Sequence, residues 1–268
     1  MNILRTLIVY RELLRNLVVR DLKSRYKGSV LGFLWTLLTP LFMAAIYIFF
    51  LQLIAGRGVP IRHTDIIIGV FAWTFTVQAV TSGMNSVTAN ANLVNKVFFP
   101  RIILPVATVL SALITFLLMV SVQLVLVGFM LYREGGALSP WVLGLPVIIV
   151  YHTLFNMAVV LFVAASNVYF RDTQHIINLL LSAWFFMSPV MYTLALVDTM
   201  AGERAWITSL YQLNPLAVII TGYRALHMPD VAFPLSGMAQ VGWLWPMVLL
   251  IAGYFVYQRA QKYFSDWL

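Results

Sequence analysis

The sequence predicts an all-α polytopic membrane protein, and three observations carry that prediction. Hydrophobic residues make up 62% of the 268 and charged residues only 10%, against about 25% charged in soluble domains, and the mean hydropathy is +0.90. Charge is also segregated along the chain. The stretches 28–56, 66–95, 102–132, 135–170, 173–197, 205–223 and 231–258 contain no Asp, Glu, Lys or Arg, and an ionised group near a bilayer centre costs roughly 2.5–3.5 kcal/mol even on a mild insertion scale. Finally, the basic residues are lopsided. With six crossings and the N-terminus inside, twelve of the 17 Lys and Arg fall on the inner side and five on the outer, whereas seven crossings give ten against seven. Six crossings fit the positive-inside rule better.

Taken in order, the chain opens on an amphipathic helix over residues 1–27. Ile3, Leu7, Tyr10, Leu14, Leu17 and Val18 recur at three- and four-residue steps opposite Arg5, Glu12, Asn16, Arg20 and Lys23, the pattern of a helix lying at a membrane surface. A solvated helix packing on a soluble partner is the alternative. From Arg20 to Pro40 this basic segment turns into an apolar one: Arg20, Asp21, Lys23, Arg25 and Lys27 crowd eight residues, and no charge follows until Arg57. The charged region is too long, and the apolar run after it too spanning, for a cleaved signal peptide, so the segment is read as retained.

Spans are expected at about 30–54, 66–86, 102–131, 141–169, 174–196 and 238–260, since about 20 residues cross a bilayer. The 19-residue run 205–223 is interrupted by Asn214-Pro215. Proline removes a donor and disfavours helix at the preceding residue, so 197–230 is read as a re-entrant hairpin of two short helices. Pro189 is expected to kink the fifth span. The chain reads as one domain, 1–268, without internal repeat or low-complexity tract.

Composition excludes several functions. Seven of the 17 basic residues behind the net charge of +8 precede Gly28, which suits an anionic inner leaflet rather than nucleic acid. There is no Cys, hence no thiol chemistry. Arg259, at the inner end of the last span, is the only Asp, Glu, Lys or Arg within the predicted spans, so proton-coupled or catalytic groups are absent from them. His152 and His175 stand alone, and no phosphate loop is present. The chain therefore reads as a non-enzyme whose work comes from a partner.

Two features remain as functional candidates. Thr81–Arg101 places Asn85, Asn90, Asn92 and Asn95 beside Val94, Val97, Phe98 and Phe99 before Pro100. A short helix with exposed aromatic residues suits docking in a groove of another protein; a plain interfacial loop is the alternative. Within the spans, aromatic and amide side chains such as Tyr47, Trp73, Gln78, Asn178, Trp184, Phe185, Phe186 and Tyr192 would suit a passage for sugars, which stack on rings and bond to amides. Packing between helices is the competing use of the same residues.

The motifs YKGSVLGFLWTLLTPL, NLVNKVFFPRIILP, YFRDTQHI, FFMSPVMY and YQLNPL occur in the order found in membrane subunits of ABC-2 type polysaccharide exporters, and the chain resembles most closely the O-antigen exporter permeases (Wzm type). The resemblance implies a homodimer in the bacterial inner membrane with both termini cytoplasmic, carrying two copies of a cytoplasmic ABC ATPase. It implies export of an undecaprenyl-pyrophosphate-linked polysaccharide to the periplasm. The permease itself is expected to bind no cofactor or metal, with ATP and Mg in the partner. Arg20, Lys23, Arg25 and Lys27 become candidates for the pyrophosphate head, with lipid headgroup binding and topology as their other use. Trp35, Phe71, Trp73, Trp184 and Phe185 become candidates for the channel wall. Asn90, Asn92, Asn95, Lys96, Phe98 and Phe99 fall in the ATPase-coupling segment, and Tyr211, Asn214 and Pro215 in a periplasmic gate. Capsule or teichoic-acid polymers, small hydrophobic compounds and an envelope-biosynthesis enzyme are the alternatives.

Overall fold

Every regular element among the described residues is helical. The structure is a computed structural model describing residues 3–32, 34–55, 62–202 and 204–268; Arg57, one of the basic residues counted on the outer side, lies outside them. The N-terminal segment forms α1 (Ile3–Val9) and α2 (Arg11–Tyr26), separated at Tyr10. Leu17 and Val18 of its apolar stripe are buried, with Leu7, Tyr10 and Leu14 packed beside them. The stripe thus lies against this chain's own helices. After α2 the chain reverses through Gly28 and Gly32, both at positive φ (80° and 45°), where a Cβ is strained. The turn between α2 and the first long apolar helix therefore falls at glycines.

Among the described residues, five helices are long and apolar enough to cross a membrane. They are α3 (Leu34–Ala55), α4 (His63–Met84), α6 (Ile103–Arg133), α7 (Leu145–Tyr169) and α12 (Ala239–Ala260). Between α4 and α6 stands the short α5 (Ala91–Lys96). The predicted fifth span differs from expectation. Its helix, α8 (Thr173–Met187), has 15 residues, about 22 Å at 1.5 Å per residue, short of a hydrocarbon core of about 30 Å. Ser188 is extended (φ −113°, ψ 144°), as a residue before proline prefers, so Pro189 ends the helix instead of kinking it. The chain continues through α9 (Leu194–Ala201), α10 (Ala205–Leu213) and α11 (Pro215–His227), and closes with α13 (Phe264–Trp267). The helix break at Asn214-Pro215 is where the sequence places it.

α4 and α6 form the interior, with 67% and 72% of their most apolar stretches buried, whereas α3 has 11%. A main core joins α4, α6, α7 and α11. A second core at one end gathers Leu17, Val18, Val94, Phe99, Tyr257 and Phe264. That end holds α2, α5 and the C-terminus; the opposite end holds Arg62, Asp230 and the α8–α10 connection.

Candidate functional site

At the end that carries α2, a cavity of about 940 Å³ opens between α2 and α6, lined by Arg20, Lys23 and Lys27 together with apolar Val19, Leu22, Ile114 and Leu118. Positions 20, 23 and 27 are spaced three and four apart and so share a helix face. Arg25 does not: it lines a separate cavity of about 340 Å³ with Asp21, Asn85, Asn90 and Thr108. Three of the four basic candidates are thus brought together over an apolar wall, while Arg25 lines the second cavity, which Arg20 also reaches, beside Asn85 and Asn90.

The two regions are tied directly. Arg20 donates from Nη2 to Asn90 Oδ1 at 2.7 Å, while Asn90 donates from Nδ2 to the Ser86 carbonyl at 2.7 Å. Asn167 of α7 donates to the Met84 carbonyl and to Asn85 Oδ1, both at 3.2 Å. From the other side Arg101 bonds the Gln261 carbonyl and Ser265 Oγ, and the Tyr257 hydroxyl donates to the Arg101 carbonyl at 3.1 Å. The 85–101 segment is therefore held by α2, α7 and the C-terminal end of the chain. Val94 and Phe99 anchor it in the second core, whereas Asn92, Asn95, Lys96 and Phe98 are exposed, Phe98 completely. Adjacent phenylalanines thus serve opposite purposes, one inside and one presented outward.

Between α4 and α8 runs a groove of about 450 Å³ lined by Trp73, Val77, Thr81, Asn178, Ser182, Phe185 and Phe186. Phe185 packs on Trp73 at 5.5 Å and on Tyr47 of α3 at 5.4 Å between ring centroids. Of the aromatic candidates, Trp73 and Phe185 share this groove. Trp184 turns away, edge-on to Phe155 at 5.8 Å and donating from Nε1 to Asn214 Oδ1 at 3.0 Å. Phe71 is wholly buried in the main core, and Trp35 is exposed on α3 near the elbow. The histidines that the sequence leaves isolated separate likewise: His152 is buried between Thr76 Oγ1 at 2.8 Å and the Tyr223 hydroxyl at 3.4 Å, and His175 is exposed.

The opposite end carries a hydrogen-bonded cluster centred on Asn214. Its side chain caps α11 by accepting from Leu216 N at 3.1 Å and donates to the Met187 carbonyl at 3.0 Å and Ser188 Oγ at 2.9 Å. Tyr211 stands 3.3 Å from the Tyr192 hydroxyl, and Pro215 occupies the first turn of α11, where its missing donor is harmless. A cavity of about 340 Å³ lies beneath, lined by Trp184, Met187, Tyr211, Asn214 and Pro215. Nearby, Arg62 and Asp230 form a two-pronged ion pair at 2.5 and 3.0 Å. The hydrogen bond from Arg62 holds the Asp230 carboxyl below its ordinary range, and the same bond raises the guanidinium.

Sequence reasoning missed Arg224, which it counted only as an outer charge. The side chain is 1% exposed and donates to the Asp65 carbonyl from Nε at 3.2 Å and Nη2 at 3.0 Å, and to the Val190 carbonyl at 3.1 Å. The only available signal was its position directly after an apolar run.

The family model described as "ABC-2 type transporter" matches residues 12–228. The O-antigen export system permease protein RfbA of Myxococcus xanthus is 33% identical over 273 residues, covering 99% of this chain and 98% of that protein. Two proteins of the same name from Klebsiella pneumoniae are 32% and 30% identical, covering 81% and 82% of this chain and 80% and 82% of their own lengths. A bundle of long apolar helices, a matched family region of most of the chain and relatives of nearly equal length agree: this chain belongs to the ABC-2 type transporter family of membrane permeases.

Proposed function

We propose that the chain is the transmembrane subunit of an ATP-driven exporter that moves an O-antigen-like polysaccharide, linked to undecaprenyl pyrophosphate, from the cytoplasm to the periplasm. It works as a homodimer in the bacterial inner membrane, with six crossings per subunit and both termini inside, and two copies of a separate ABC ATPase supply the energy. The observation that carries this reading is the full-length similarity to relatives named as O-antigen export permeases. The geometry supports it at three levels. Arg20, Lys23 and Lys27 over an apolar wall suit a diphosphate head on a hydrocarbon tail, each basic group adding about 1 kcal/mol at an anionic surface. The Arg20–Asn90 hydrogen bond links that entrance to the segment whose exposed Phe98 docks on the ATPase. The Trp73–Phe185 groove then offers weak, repeated stacking on which a long glycan slides, and the Asn214 cluster, with Tyr211 and Pro215, closes the periplasmic exit.

Deleting the gene in its own strain and fractionating the cells tests this. Lipid-linked polysaccharide accumulating inside the cell, with none at the surface, is the expected result. Absence of polymer altogether would identify a biosynthetic enzyme, and unchanged surface polymer would overturn export of this glycan. The purified permease should bring down a nucleotide-binding subunit whose ATPase is stimulated by lipid-linked glycan rather than by hydrophobic drugs.

A further inference from the structure

The two helices that meet at Asn214 are attached to the rest of the chain in unlike ways. In α11 every residue from Leu216 to His227 is buried. His227 is held by Gln123 of α6 at 3.1 Å and by the Tyr223 carbonyl at 2.8 Å, and its own carbonyl accepts from Ser139 N at 2.9 Å. The Tyr223 hydroxyl meets His152 of α7, and Arg224 donates to the carbonyls of Asp65 in α4 and Val190 in the loop after α8. A Cβ at Gly222 would lie 2.7 Å from Ile148 Cδ1, so α11 and α7 are pressed together as well. Each buried polar group left unpaired costs about 1–3 kcal/mol. Parting α11 from α4, α6 and α7 would unpair several at once, which makes it part of their frame.

None of the described side chains of α10 is buried. Thr208 donates to Asp198 Oδ1 of α9 at 3.1 Å, which joins the two short helices into one piece. Toward α8 that piece borders the cavity of about 340 Å³ that Met187 and Leu210 both line. It meets the loop after α8 at Tyr192, whose hydroxyl donates to the Phe186 carbonyl at 2.8 Å and so accepts from Tyr211 at 3.3 Å. Such a part-exposed bond contributes about 0.5–1.5 kcal/mol, less than the attachments of α11. The C-terminal end of α10 is pressed against the frame instead. A Cβ at Gly242 of α12 would lie 2.4 Å from the Gln212 carbonyl oxygen and 3.1 Å from Val218 Cγ1, so α12 touches both sides of Asn214. Between them Asn214 is extended (φ −72°, ψ 117°), and it is element-terminal residues of this kind that absorb the dihedral change in hinge motions.

We propose that α9 and α10 form a lid that swings about Gln212–Asn214 during transport, with Tyr192–Tyr211 as its latch, while α11 stays fixed to α4, α6 and α7. This rests on the reading of the chain as a polysaccharide exporter, and it divides the exit into a moving half and a static one. Because the sequence contains no Cys, paired cysteines can test each half in the deletion strain carrying the full-length permease. Met187→Cys with Leu210→Cys joins the lid to the end of α8, and both positions are exposed. Arg62→Cys with Asp230→Cys joins the start of α4 to the segment after α11, where the two side chains already meet. Thiols are kept reduced until a short bis-thiosulfonate is added, and surface polysaccharide made after that point is measured. Cross-linking the lid pair is expected to stop export, reductant to restore it, and cross-linking the frame pair to leave export as it was. Export that continues with the lid pair cross-linked overturns the lid; export stopped by the frame cross-link overturns the fixed α11. If the lid pair exports nothing before cross-linking, Tyr192→Cys with Tyr211→Cys repeats the measurement across the latch, with the same outcomes deciding it. The two readings fail separately. If the deletion strain still displays its polysaccharide, export is wrong; if export is lost on deletion but survives the lid cross-link, only the lid is wrong.

Discussion

Gly69 shows how narrowly single residues set the packing at the end of the bundle that carries Arg224. A Cβ placed there would sit 2.2 Å from the Val190 carbonyl oxygen and 3.0 Å from Arg224 Nη2, so α4 can meet the loop after α8 only without a side chain. Gly69→Ala is expected to cost about 1–3 kcal/mol or more, the range for overpacking, seen as a fall of several degrees in thermal midpoint in detergent. The Arg62–Asp230 pair gives a pH signature at the same scale. Because the Asp230 pKa is depressed in the folded state by its bond from Arg62, its stabilisation is present above the ordinary carboxylate value of about 4. It is lost as pH falls from there through the folded value. Thermal midpoints measured from pH 6 down to pH 3 should therefore fall less steeply for Asp230→Asn than for wild type. The half-exposed pair is screened by solvent, so the difference in slope, rather than a large loss at neutral pH, is the readout.

At the scale of elements, one amide organises the α8–α11 connection. Asn214 supplies an N-cap acceptor to α11, an acceptor for Trp184, and donors for the end of α8. Asn214→Ala removes a cap worth about 1 kcal/mol and leaves the part-buried Trp184 N–H unpaired at a further cost of about 1–3 kcal/mol. Asn214→Asp keeps both acceptor functions but cannot donate to the Met187 carbonyl. The expected order of thermal midpoints is wild type, then Asp, then Ala; an Asp variant as unstable as Ala would show that the donors, not the cap, hold the α8–α11 connection. The short α8 follows from the same chemistry. Its last carbonyl, that of Met187, accepts from Asn214 rather than from a further turn of helix, which Pro189 prevents.

For the whole molecule, the contrast between Phe98 and Phe99 separates assembly from folding. Phe98 is fully exposed while Phe99 is 6% exposed in the second core. Phe98→Asp should leave the permease's thermal midpoint unchanged and abolish co-purification of the ATPase. Phe99→Ala should instead cost about 3–5 kcal/mol, as aromatic deletions in cores do, and lower the yield of folded permease itself. Retention of the ATPase by Phe98→Asp would remove this residue from the docking surface. The segment that carries Phe98 is braced by α2, α7 and the C-terminal helices alike.

Much of this organisation was legible from residue order. The turn at Gly28 within Arg20–Pro40, five of the six expected long apolar helices, the helix break at Asn214-Pro215 and the exposure of Phe98, though not of Phe99, follow from charge segregation, hydrophobic period and proline chemistry, each a property of neighbours in the chain. The spacing of Arg20, Lys23 and Lys27 even contained the shared face from which Arg25 is excluded. What residue order could not supply was rotation and partnership. In spans apolar all round, no stripe tells which aromatic faces which neighbour, so Trp73 and Phe185 could not be separated from Phe71 and Trp184 until helix packing turned them. Arg224 looked like one more outer charge because its burial comes from Asp65, Val190 and α4, all distant in sequence. The sequence alone determined where the long apolar helices lie and where helices break, since transfer free energy and backbone constraints act locally. Only the tertiary structure decided which side chains share a cavity, since that depends on the close approaches, such as Gly69 to Val190, that set how the helices pack.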